Sequence, residues 1–164
     1  MSEKPGSYFS AMERFPEHVS AIGMISIEIA NLEIMLSLLL SHLLNVSGQL
    51  AHAVYFTPRA NIARLEMITN VMSIVLAGDE NKYLRNKIEK LISRTTTVMG
   101  KRHDTIHNSW GAFMDDVARI SLPHQKDEGL KIVPITELTD LLRDIRELIT
   151  RAGVIADEYP EATP

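Results

Sequence analysis

Residues Ala21 to Leu44 read A-I-G-M-I-S-I-E-I-A-N-L-E-I-M-L-S-L-L-L-S-H-L-L. Ile22, Ile25, Ile29, Leu32, Leu36, Leu39 and Leu43 recur at spacings of three and four, which predicts a helix from about Glu17 to Leu44. Ile27, Ile34, Met35 and Leu38 spread the apolar surface beyond one stripe, and Ser26, Glu33, Ser37 and Ser41 leave only a narrow polar strip. A helix so apolar all round belongs at the centre of a fold, covered by several neighbours or by a second copy of the chain. Glu28, Asn31, Glu33 and His42 interrupt it, and charges at mid-depth are costly in lipid, so the segment is not expected to cross a membrane. Asn45 and Gly48 end it.

Outward from this helix, a short one is expected over about Gln49 to Tyr55. Thr57-Pro58 then reads as an N-cap followed by proline at the first helical position. Ile62, Leu65, Ile68, Met72 and Val75/Leu76 give the buried face of that third helix, with Gly78 as its C-cap. Asp79 is placed as the cap of a fourth helix from about Glu80 to Ser109, striped by Leu84, Ile88, Leu91, Thr95 and Val98. D-V-A-R-I-S-L-P and G-L-K-I-V-P alternate with period two on either side of H-Q-K-D-E-G, which suggests a β-hairpin or an extended insert. A last helix starts near Thr136 as N-cap and carries Leu138, Leu141, Leu142, Ile145, Leu148, Ile149 and Ala152 on one face. The expected class is all-α, an antiparallel bundle of four to five helices with a small hairpin before the last one. Residues 1–16 read as a flexible lead, 17–158 as one helical domain and 159–164 as a frayed tail.

The chain has 164 residues, 45% hydrophobic and 23% charged, which suits one soluble domain. It has no cysteine, so disulfides, thiolate chemistry and cysteine-based zinc sites are excluded. That composition, and an N-terminus without a basic-then-apolar layout, point to the cytoplasm. A net charge of −4 argues against a general DNA-coating protein. The basic residues are nevertheless concentrated: Lys82, Arg85, Lys87, Lys90, Arg94, Lys101 and Arg102 lie in one helical stretch. Lys90, Arg94 and Lys101 are candidates for a polyanion-binding face, against the simpler reading of a solvated helix surface.

That stretch leads into Lys101–Gly111, K-R-H-D-T-I-H-N-S-W-G, which places Arg102, His103, Asp104 and His107 within six positions. Arginine offers a planar fork of donors suited to phosphate. Histidine exchanges protons near neutral pH, from an ordinary pKa of about 6.5. In one helix Arg102 and His107 stand about 140° apart, so the pair is more easily assembled at a helix end or from two chains. His103 and His107, four apart, share a face. The bland alternative is that Arg102 and Asp104 make structural ion pairs while the histidines cap or pack. A further alternative takes H-x-x-x-H as a metal pair, but the sequence identifies no third ligand among His18, His42, His52 and His124, so no metal or other cofactor is expected.

The arrangement resembles the HEPN superfamily, the higher eukaryotes and prokaryotes nucleotide-binding domain, whose members carry R-[N, D or H]-x-x-x-H near the end of a late helix. Arg102, His103 and His107 match that pattern, and Trp110 agrees with the R-N-x-x-x-H-G-x-W form of many relatives. Asn108 stands where glycine is usual, a residue that tolerates the left-handed conformation of a helix end. The first helix also resembles the leading helix of bacterial relatives. The resemblance implies a metal-independent endoribonuclease, a hydrolase of single-stranded RNA acting by 2′-hydroxyl attack at a homodimer interface. Arg102 and His107 would be its catalytic residues, with His103, Asp104 and Asn108 orienting the substrate. It also implies, for some members, toxin or phage-defence roles and a neutralising partner protein. Its other branch implies a non-catalytic dimeric module that binds a nucleotide, RNA or a protein.

Overall fold

A computed structural model describes residues 11–113, 116–120 and 129–158. The first part of the expected lead, the connector of the expected hairpin and the expected tail lie outside the described residues. Among the described residues the chain forms five α-helices and a three-stranded antiparallel sheet. The helices are α1 (Pro16–Leu44), α2 (Gly48–Tyr55), α3 (Asn61–Val75), α4 (Lys82–Ile106) and α5 (Ile135–Glu158). The strands, β1 (Ser109–Phe113), β2 (Asp116–Ile120) and β3 (Leu130–Ile132), lie between α4 and α5 in sheet order β1-β2-β3.

The residues group into two compact units, Met1–Ile27 with Lys101–Arg143 and Glu28–Gly100 with Asp144–Pro164. The second unit holds most of the apolar core. Leu32, Leu36, Leu39 and Leu40 of α1 are fully buried, as are Ile68 of α3, Ile88 of α4, and Ile145 and Leu148 of α5. Each such side chain contributes about 1.5–3 kcal/mol by leaving water. Charged residues bind its helices at their edges. Glu33 of α1 pairs with Arg64 of α3, Arg94 of α4 with Glu147 of α5 at 3.0 Å, and Glu28 of α1 with Arg146 of α5 at 2.8 Å. α1 is long and apolar enough by length and composition to cross a membrane. Here its two glutamates in this unit serve as ion-pair partners and its leucine stripe is core.

The first unit contains the sheet, the last turn of α4, the beginning of α5 and the beginning of α1. β1 pairs with β2 in the register Trp110↔Arg119 and Gly111↔Ala118, and β2 with β3 in the register Ala118↔Ile132 and Arg119↔Lys131. Val117 and Ala118 of β2 and Val133 after β3 are buried. Val133 extends the pairing by donating its N–H to the carbonyl of Val117 at 2.9 Å, and its own carbonyl lies 3.1 Å from Nε2 of His18. A 3-10 turn at Ala11–Arg14 lies against β1.

The helices and most of their buried faces follow the periodicity, but Ile62, expected on the buried face of α3, is 60% exposed, Val75 is exposed while Leu76 is buried, and several helix ends differ. Thr57 does not cap α3. Its hydroxyl donates back to the carbonyl of Ala53, and α3 begins four residues later behind Ala60, which makes no side-chain cap. The connector is held open by Arg64, whose Nε donates to the carbonyl of Pro58 at 2.9 Å. α3 ends at Val75 with Leu76 as its cap, and Gly78 instead precedes a 3-10 turn, Asp79–Asn81, with an ordinary φ of −70°. Asp79 therefore lies inside that turn rather than capping α4. Thr136 is the second residue of α5, behind Pro134, whose carbonyl accepts from Glu137. At its far end α4 stops at Ile106 rather than near Ser109, and Ser109 begins a strand.

Candidate active site at the end of the fourth helix

The last carbonyls of a helix have no partner within it and must find one elsewhere. At the end of α4 the following residues supply three donors in succession. The backbone N–H of His107 donates to the carbonyl of His103 at 3.0 Å. The amide Nδ2 of Asn108 donates to the carbonyl of Asp104 at 2.7 Å. The indole Nε1 of Trp110 donates to the carbonyl of Thr105 at 2.7 Å. Thr105 itself is buried, and its hydroxyl donates to the carbonyl of Lys101 at 2.9 Å. Asn108 is buried too. It closes the helix with its side chain, because the one left-handed non-glycine residue among those described is Asn45, at φ 52° after α1.

This divides the K-R-H-D-T-I-H-N-S-W run into two sets. Thr105, Asn108 and Trp110 are occupied by the helix end. Arg102, His103 and His107 are not needed for it through their side chains, and both histidines are exposed. Because the helix stops at Ile106, His107 leaves the helical path and meets Arg102 within a single chain, with 3.5 Å between Nη1 of Arg102 and Nε2 of His107. A guanidinium can only donate, so in this contact Nε2 is the acceptor and the proton of a neutral ring sits on Nδ1. The rings of His103 and His107 stand 4.7 Å apart at an interplanar angle of 48°. Nε of Arg102 is buried and has no partner among the described residues.

The exposed carboxylate of Asp104 turns elsewhere, into a cleft shared with β2, β3 and α5. Of the candidate basic face, Lys101 belongs to the first unit while Lys90 and Arg94 belong to the second. There they line a groove of about 200 Å³ with Lys87, Leu91, Arg151 and Val154, an apolar floor with a cationic rim. Lys87 is bound to Glu158 at 2.6 Å and Arg94 to Glu147 at 3.0 Å, so two of the four cations are already partnered. Lys87 is held above the ordinary lysine range, first by its hydrogen bond to Glu158.

Glu33, the one acidic residue of the apolar helix that invites a functional reading, lies in a different place. It pairs with Arg64, whose guanidinium also stacks 4.8 Å from the ring centre of Phe56 and 5.8 Å from that of Tyr55. Burial, and then the charge of Glu33, push the phenol of Tyr55 well above its ordinary range. Among the described residues no group of three or more His, Asp or Glu side chains is placed to hold a metal ion. Arg119, Lys131 and Arg151 face clefts but stand outside any motif, and only the strand register and helix pairing reveal them. Compared with known proteins, the chain matches no family model, no curated protein and no solved structure.

Proposed function

We propose that the chain is a metal-independent endoribonuclease built on a HEPN-like antiparallel helical bundle, with Arg102, His103 and His107 as its reacting groups. The observation that carries this reading is the exposed Arg102–His107 contact beside a second imidazole, at a helix end already completed by other residues. A guanidinium in contact with one imidazole, with a second imidazole beside that, can bind phosphate and transfer protons without a metal. Arg102 binds the scissile phosphate and stabilises the charge that builds on it. One imidazole, in its neutral form, removes the proton of the ribose 2′-hydroxyl as its oxygen forms a bond to phosphorus. The other, protonated, delivers its proton to the 5′-oxygen as that bond to phosphorus breaks. The products are a 2′,3′-cyclic phosphate and a 5′-hydroxyl, and DNA, lacking the attacking group, is inert.

The proposed assembly is a homodimer. Ile34 and Leu38, one turn apart on α1, are 45% and 38% exposed, an apolar surface of the kind that a second copy covers. The Arg102–His107 contact forms within one chain, so the partner's part is to complete the RNA groove rather than to bring the pair together. Activity that falls on dilution in step with dissociation supports this; a fully active monomer rules it out.

The test is cleavage of a labelled single-stranded RNA in EDTA by wild type, Arg102→Ala and His107→Ala, with product ends identified. Cyclic phosphate ends, lost in both variants, are expected. Cutting that survives both substitutions excludes this site. A second reading, a dimeric module that binds a nucleotide, RNA or protein partner without turnover, is favoured by the cationic rim of Lys87, Lys90, Arg94 and Arg151. It predicts retention of RNA without cutting, weakening as salt rises.

A further inference from the structure

Neither His103 nor His107 lines the cleft that receives Asp104. Lys101, Asp104 and Thr105, which recur at three and four along the last turn of α4, form its helical side. The cleft has a volume of about 370 Å³, and Arg119 of β2, Lys131 of β3, and Glu137 and Asp140 of α5 complete its polar lining. That volume falls in the range of small-molecule sites.

Arg119 and Lys131 stand directly opposite each other in the β2–β3 register, a like-charge pairing that costs a sheet stability. Lys131 is answered by Glu137, with both carboxylate oxygens at 2.9 Å, and Asp140 is held by Arg143 at 2.8 Å. Nε of Arg119 is buried and without a hydrogen-bond partner among the described residues. A buried charged donor left unpaired is costly, and a planar guanidinium next to an ammonium is a fork for an oxyanion. Asp104, also in the lining, has an exposed carboxylate that accepts hydrogen bonds, so it suits a ligand with hydroxyl donors alongside the anion.

We infer that this cleft is a second ligand site, separate from the Arg102–His107 centre, which takes the phosphoryl group of a small hydroxyl-bearing molecule. Arg119 and Lys131 hold the phosphoryl oxygens, and Asp104 accepts from a hydroxyl. The site stands whether or not the chain cuts RNA.

The probe is ribose 5-phosphate, followed by calorimetry at constant ionic strength, with ribose and acetate as controls. Wild type and His107→Ala are expected to bind it equally, ribose and acetate to bind at least tenfold more weakly, and Arg119→Gln and Lys131→Gln each to lose at least tenfold in affinity. Lys131 is half-exposed, so its variant is expected to fold as wild type does, by circular dichroism, even where the central-strand variant does not. Absence of binding by wild type, affinity unchanged in Lys131→Gln, or acetate matching the phosphate ester would each overturn the assignment.

Discussion

Trp110 reaches back across the junction of α4 and β1 and donates its indole N–H to the carbonyl of Thr105 at 2.7 Å. Trp110 is thus part of how the helix ends. Trp110→Phe keeps the ring and removes the donor, leaving a helix-end carbonyl short of a partner. The expected cost is about 1–2 kcal/mol, read from urea denaturation. Unchanged stability would mean that water replaces the indole there.

Asn108 makes the neighbouring link, and its burial makes chemistry matter more than size. Asn108→Ala loses one hydrogen bond. Asn108→Asp does worse: it sets a second acceptor against the carbonyl of Asp104, at the negative end of the helix dipole. The aspartate variant is expected to be less stable than the alanine variant by about 1–2 kcal/mol at neutral pH, and to recover part of that as the new carboxyl is protonated in acid. Equal stability of the two variants would show that the site is wetter than its burial indicates.

These helix-end contacts explain what the sequence revealed and what it hid. The buried faces of α1, α3, α4 and α5 were legible because periodicity is a property of each segment alone. Leu32, Leu36, Ile68, Ile88, Ile145 and Leu148 all lie where spacing puts them. Helix ends depend on partners farther along the chain. Nothing in T-P marks Thr57 as bound to Ala53 rather than to the next helix, and nothing in N-S-W announces that Asn108 and Trp110 will stop α4 at Ile106. Arg102, His103 and His107 were visible as a cluster, but their contact required the helix to end between Ile106 and His107. The Arg119 cleft was not legible at all, since strand register, not spacing, sets Lys131 opposite Arg119.

Glu33 and Arg64 are 15% and 13% exposed, and Arg64 carries four further contacts, to Pro58, Asn61, Phe56 and Tyr55. The arginine is the hub. Arg64→Ala leaves Glu33 unpaired and removes the brace of the α2–α3 connector, an expected loss of about 2–4 kcal/mol. Glu33→Gln keeps a hydrogen-bonding oxygen and is expected to cost about 1–2 kcal/mol. RNA cleavage by Glu33→Gln, measured well below its melting temperature, is expected to equal wild type. A loss of cleavage with the fold intact would restore a functional role for Glu33.

Tyr55 gives the fold an alkaline limit. Burial, and next the nearby Glu33 carboxylate, raise its phenol pKa above the value of an unfolded chain. The raised group binds its proton more tightly in the folded state, so its contribution is fully present below the unfolded phenol pKa of about 10 and drains away as pH rises beyond it. Stability to urea is therefore expected to fall above pH 10, with a tyrosinate absorbance step that coincides with unfolding. In Tyr55→Phe that step disappears and the alkaline decline becomes shallower. A fully reversible titration of every tyrosine without unfolding would contradict the burial assigned to this ring.

The shape of the guanidinium distinguishes two roles for Arg102. If it serves only as a positive charge, Arg102→Lys restores most of what Arg102→Ala removes. If it forks around a phosphate while bordering Nε2 of His107 at 3.5 Å, a lysine cannot satisfy both directions. The fork is the expected outcome: Arg102→Lys loses about tenfold to a hundredfold in kcat/KM, and Arg102→Ala more. His107→Ala is expected to lose about 10²–10⁴-fold, the scale of one proton-transfer group. His103→Ala resolves the second imidazole. A comparable loss, with one limb of the pH–rate profile removed, identifies it as the partner in proton transfer. A loss confined to KM makes it a binding group for the RNA and leaves one proton transfer to solvent.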